Sequence, residues 1–128
     1  MPTLEAYLPQ GYDEARKAKL IERLTQATVE SIGAPAASVR ILLSELPDAN
    51  FGIGGKSAAR GAAPMLPVIV VILIAGRTDA QKAALIAALC ETATDVLDAP
   101  LQATRVMIKD IPNTDFGIGG ETARALGR

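Results

Sequence analysis

Phe51-Gly52-Ile53-Gly54-Gly55 and Phe116-Gly117-Ile118-Gly119-Gly120 are the same five residues written twice, 65 positions apart. A repeat of this length resets how a fold is read, because each copy is one supersecondary unit. Holding the same offset pairs Pro2 with Pro67, Lys17 with Lys82, Leu20-Ile21 with Leu85-Ile86, Ala34-Pro35 with Ala99-Pro100 and Arg40 with Arg105. Of the 57 positions from Pro2 to Ala58, 19 are identical without a gap, too many for chance at one fixed offset. The chain therefore divides into a first unit at 2–60, a linker at 61–66 and a second unit at 67–128.

Each unit reads as strand, helix, strand and a glycine-rich tail. In the first, residues 3–8 alternate, with Leu4, Ala6 and Leu8 on one face of a half-buried strand. Asp13 is placed to cap a helix whose apolar stripe runs through Leu20, Ile21, Leu24, Thr28 and Ile32, and Gly33 stops it. Ser38 to Leu46 reads as the returning strand, parallel to the first because a helix intervenes. The second unit opens its helix with a capping box, Thr78-Asp79-Ala80-Gln81, points Leu85, Ile86, Leu89, Val96 and Leu97 inward, and returns over 104–111. Its first strand, Val68 to Ile74, is apolar on both faces. Two helices cover one face only, so the other needs a second chain. The expected architecture is a mixed α/β (α+β) fold, two tandem β-α-β units in a four-stranded sheet with both helices on one face, closed by self-association.

Composition narrows the function classes. Formal net charge is -1 from 13 basic and 14 acidic residues without a long block of either, so neither a nucleic-acid footprint nor a membrane-binding surface is indicated. The apolar run at 65–75 is too short to span a bilayer and lies mid-chain, and the chain reads as cytoplasmic. Cys90 is alone and sits in a helical pattern, where it reads as a small buried apolar residue. With no histidine and no cysteine cluster, a zinc site or a Ser-His-Asp arrangement lacks its parts, and no cofactor is expected. Gly-Ile-Gly-Gly lacks the strand-to-helix setting and the lysine of a phosphate loop.

Pro2 is the candidate with chemistry of its own. Removal of Met1, usual before a small residue, exposes a secondary amine. An α-amino group titrates near 7.7–8.0, and modest burial or a nearby cation brings it to the pH at which a general base works best. Arg40 lies among Val39, Ile41, Leu42 and Leu43 and needs an anion, either a substrate or a carboxylate such as Glu45 or Asp48. Phe51 and Phe116 are the only phenylalanines, each beside glycines that allow a tight turn. Tyr7, on the first strand, reads as core, and Tyr12 as a turn residue facing solvent.

Taken in order and twice over, these residues resemble the tautomerase superfamily, in the fused form of 4-oxalocrotonate tautomerase. The match is carried by Pro2 after Met1, Gly-Arg-Thr-Asp-Ala-Gln-Lys at 76–82, Leu-Asp-Ala-Pro-Leu at 97–101, the strand arginines and Phe-Gly-Ile-Gly-Gly. The resemblance implies a trimer of fused chains, equivalent to a hexamer of single units. It also implies a proline base that moves a proton between carbons of a small carboxylate-bearing enol acid and its conjugated keto acid. By position it makes Pro2 the base, Arg40 and Arg105 the strand arginines, Phe51 and Phe116 the aromatic wall, and Tyr12 and Arg77 the turn position ahead of each helix. Pro67 follows Leu66 in a continuous chain, so its nitrogen is an amide and catalytically silent. Tyr12 stands where the family sets a cation beside its own proline, which implies weaker dicarboxylate binding, while Arg77 is expected at the silent site. Two other readings stay open: a relative that uses a charged proline for hydration, dehalogenation or decarboxylation of an unsaturated acid, and a non-catalytic self-assembling binding protein.

Overall fold

The computed structural model describes residues 1–128. Strand β1 (Thr3–Pro9), helix α1 (Glu14–Ile32) and strand β2 (Arg40–Leu46) form the first unit, followed by a hairpin of β3 (Gly52–Ile53) and β4 (Lys56–Ser57). The second unit repeats it with β5 (Val68–Ile74), α2 (Asp79–Leu97), β6 (Arg105–Ile111) and the hairpin β7 (Gly117–Ile118) and β8 (Glu121–Thr122). The sheet order is β2-β1-β5-β6. Within each unit the strands are parallel, and β1 and β5 meet antiparallel at the centre, with Thr3 opposite Ile72 and Tyr7 opposite Val68. A short 3-10 turn at Ala36–Ser38 takes up Ser38, the position expected to begin the first returning strand. The equivalent turn at Leu101–Ala103 ends just before the second, which starts at Arg105, one residue after the expected Thr104.

The helix ends follow their sequence signals. The Asp13 side chain accepts from the Arg16 amide, and Thr78 and Gln81 form the reciprocal capping box. Leu4, Ala6 and Leu8 of β1 and Ile69, Val71 and Leu73 of β5 point to the helix side and are buried with Leu20, Leu24, Leu85 and Leu89. Both helices pack on this face and on each other. Lys17 reaches Glu45 at 2.7 Å, and Lys82 pairs with Asp110 in the same way, so each helix is tied to its own returning strand. The glycine-rich tails are two-residue hairpins: Gly54 and Gly55 have φ of 63° and 87°, Gly119 and Gly120 59° and 88°, the backbone that such tight turns require.

Several side chains lie elsewhere than the pattern indicates. Ile21 and Ile86 are exposed, while the residue before each, Leu20 and Leu85, is the one buried against the sheet and the other helix. Tyr7 points away from the helices and donates to Glu5 at 2.6 Å, an arrangement that raises its phenol pKa. Cys90 is half-buried, with partial burial raising its thiol pKa. Tyr12 is packed against the core, its hydroxyl 3.4 Å from the Leu97 carbonyl, and does not project into solvent. The sheet face opposite the helices carries Leu42 and Met107, 56% and 49% exposed, beside the half-buried Val70 and Ile72.

Candidate active site

Pro2 is fully buried at the start of β1, and its carbonyl accepts from the Arg40 amide at 3.0 Å, one register step before the Thr3–Arg40 pair. The parallel pairing of β1 with β2 therefore sets the strand arginine beside the proline. A cavity of about 580 Å³ opens here, walled by Met1, Thr3, Ser38, Arg40, Phe116 and Arg128 among others. Phe116 comes from the other unit: the β7–β8 hairpin, held by an Ala123 amide donating to the Phe116 carbonyl at 2.7 Å, brings it across. Arg40 is exposed and takes part in no ion pair; Glu45, one of the carboxylates expected to neutralise it, is engaged by Lys17.

Arg77 stands at this end of the sheet, not at the Pro67 end. The reason is the antiparallel meeting of β1 and β5, which lays the finish of β5, and the turn after it, beside the start of β1. Arg77 is half-buried. Burial first, then the guanidiniums of Arg77 and Arg128, pull the Met1 amine below its ordinary value. Tyr12, at the corresponding turn of the first unit, falls by the same register at the Pro67 end. The cation expected to be missing beside Pro2 is thus supplied by the second unit.

The Pro67 end repeats the construction. Pro67 is buried, its carbonyl accepts from the Arg105 amide at 3.2 Å, and a cavity of about 300 Å³ is walled by Phe51, Leu66, Val68, Ala103 and Arg105 among others. Arg105 is exposed and donates to the Gln102 carbonyl at 3.0 Å. Phe51 and Phe116 have thus exchanged places, each lining the cavity of the unit to which it does not belong. Thr3, Ser38 and Arg128 are cavity residues that motif reading passed over. The 65-residue offset could have found them, since it pairs them with Val68, Ala103 and Ala63.

The parts at this end of the sheet suit one chemistry: guanidiniums to hold and polarise a small anion, an aromatic wall, and behind Met1, buried and outside the cavity wall itself, a proline whose nitrogen becomes a base once nothing precedes it. Comparison with known proteins agrees in kind. The family model described as "Tautomerase enzyme" matches twice, at residues 2–60 and 67–125. Over 63 residues the chain is 44% identical to a 2-hydroxymuconate tautomerase of Stutzerimonas stutzeri, a match that spans 49% of this chain and 100% of that protein. The crystal structure of native fused 4-OT superposes with a TM-score of 0.95 at 76% identity, over 98% of this chain and 99% of that one. The F6 fused 4-OT wild type asymmetric trimer superposes at 0.89 with 72% identity and the same coverage. With one family model met in each half and a fused relative matched from end to end, the chain belongs to the tautomerase family, as two copies of its β-α-β unit in one polypeptide.

Proposed function

We propose that the chain is a cofactor-independent tautomerase that converts 2-hydroxymuconate, or a closely related 2-hydroxydienoate, to its conjugated keto acid in the cavity at Pro2. The supporting observation is that Arg40 and Phe116, from different units, line one cavity beside the buried Pro2, where the charge of Arg77 acts on the Met1 amine. Removal of Met1 makes Pro2 the base. Its uncharged nitrogen takes the proton of the 2-hydroxyl group, and electron density moves along the diene. The resulting dienolate is held by Arg40 and Arg77, which bear the positive charge that the developing anion needs. Protonated Pro2 returns the proton to a carbon further along, and the amine is regenerated.

The cavity at Pro67 has the same phenylalanine and strand arginine but no free amine, so it does no proton transfer. Each chain then contributes one competent site. By likeness to the trimers of fused relatives, three chains assemble through the sheet face that the helices leave open. The two units at 2–60 and 67–128 are the halves of one pseudo-dimer.

The test is ketonisation of 2-hydroxymuconate followed by its absorbance. Pro2→Ala lowers kcat by about 100-fold or more, the range a general base contributes, while Pro67→Ala retains activity. Intact-mass measurement shows the loss of Met1. Equal rates in wild type and Pro2→Ala, or a mature protein that keeps Met1, would remove the amine from the mechanism.

A further inference from the structure

Among the positions, related by the 65-residue offset, that line both cavities, the differences in polarity run in one direction. The strand arginine, the phenylalanine and the first two residues of the hairpin are the same in both. Thr3, Ser38 and Arg128 at the Pro2 cavity become Val68, Ala103 and Ala63 at the Pro67 cavity. Every one of these changes replaces a polar or charged group with an aliphatic one. The cavity with the usable base is therefore also the one with an additional guanidinium.

Arg128 is held in place from its backbone. Its amide donates to the Ala123 carbonyl at 2.8 Å, and its main-chain oxygen accepts from Asn113 Nδ2 at 3.0 Å. Ala123 is fully buried and bonded to Phe116, so the aromatic wall and this arginine ride on one anchored piece of chain. The guanidinium has no carboxylate partner. The four ion pairs of the molecule are Arg16–Asp98, Lys17–Glu45, Arg23–Asp95 and Lys82–Asp110. The side-chain contact it makes is a donation to Met1 Sδ at 3.4 Å. Thioether sulfur is a weak acceptor, and it departs with Met1.

We propose that Arg128 selects dicarboxylates: its guanidinium, free of any carboxylate partner, shares the wall of the Pro2 cavity with Arg40 and takes up a second carboxylate of the substrate. This rests on the reading of Pro2 as the base. A planar guanidinium presents paired N–H donors that match a carboxylate, and an acid with one carboxylate leaves it unused. Arg128 is in this sense a specificity-determining residue, acting on binding of the ground state and the transition state alike, so its removal raises KM and spares kcat.

The experiment compares the full-length protein, R128Q and R128K on 2-hydroxymuconate, which has two carboxylates, and on phenylenolpyruvate, which has one. In R128Q the ratio of kcat/KM for the first over the second falls about tenfold, the low end for a hydrogen bond to a charged group, with the change carried by KM. R128K recovers part of it. An unchanged ratio, or an equal loss on both substrates, overturns the assignment of Arg128. If Pro2→Ala is inactive in the same assays, the base stands and this inference alone fails; if Pro2→Ala is active, the proposed function itself fails.

Discussion

The two prolines that open the two units differ by one covalent bond. Pro67 is an amide and Pro2 becomes an amine when Met1 leaves, and that difference decides which cavity has a proton acceptor. Burial and the charges of Arg77 and Arg128 lower the pKa of the Met1 amine at the head of β1, and the Pro2 amine exposed when Met1 leaves lies one residue further into the same surroundings, where the same direction is expected of it. A base must be uncharged to act, so kcat/KM is low where the amine is protonated and rises with pH to a plateau above its pKa. Lowering that pKa extends the active range downward, towards neutral pH. Arg77→Gln removes one of the positive charges that disfavour protonation, so the amine pKa rises and the acidic limb of the kcat/KM profile moves to higher pH. The pH-rate profile of the two proteins measures this. A limb that stays in place or moves to lower pH assigns Arg77 no part in tuning the amine.

The same helix is built twice with one unequal end. Helix α1 stops at Gly33, in the left-handed conformation at φ 69°. Helix α2 stops at Asp98, which adopts the same conformation at φ 57° although it carries a side chain. Left-handed backbone is disfavoured by a Cβ, and Asp tolerates it better than most residues without escaping the penalty. Asp98 also approaches Arg16 at 3.6 Å, but both side chains are largely in solvent, where such a pair contributes little. Asp98→Gly therefore stabilises the protein, by about 0.5–1 kcal/mol. Urea denaturation at matched protein concentration reads this as a higher midpoint with unchanged slope; a lower midpoint would mean that the ion pair outweighs the backbone term.

For the whole molecule the open sheet face is the deciding feature. Leu42 on β2 and Met107 on β6 are equivalent under the repeat, and both present apolar surface to the side that no helix covers. Continuous with the apolar outer row of β5, they form the surface on which copies of the chain are proposed to meet. A charge there must be desolvated in the assembly but not in the isolated chain. Leu42→Asp and Met107→Asp each shift the protein from trimer towards monomer in size-exclusion chromatography with light scattering, with far-UV circular dichroism retained. Trimers of undiminished stability in both variants would place the contact elsewhere.

By itself the sequence determined what repeats locally. The 65-residue offset, the alternation of Leu4, Ala6 and Leu8, the caps at Asp13 and Thr78 and the stop at Gly33 lie within reach of a few residues, and short-range patterns of that kind dictate strands, helices and their ends. Only the tertiary structure decided how the halves face one another. Because β1 and β5 run antiparallel, each unit's loops reach the other unit's proline: Arg77 comes to Pro2 although it follows Pro67 in the chain, Phe51 and Phe116 change places, and Arg128 joins a cavity 126 positions away in sequence from Pro2. Strand direction across a central pairing is a global choice made by packing two apolar faces under one helix layer, and no local run of residues encodes it.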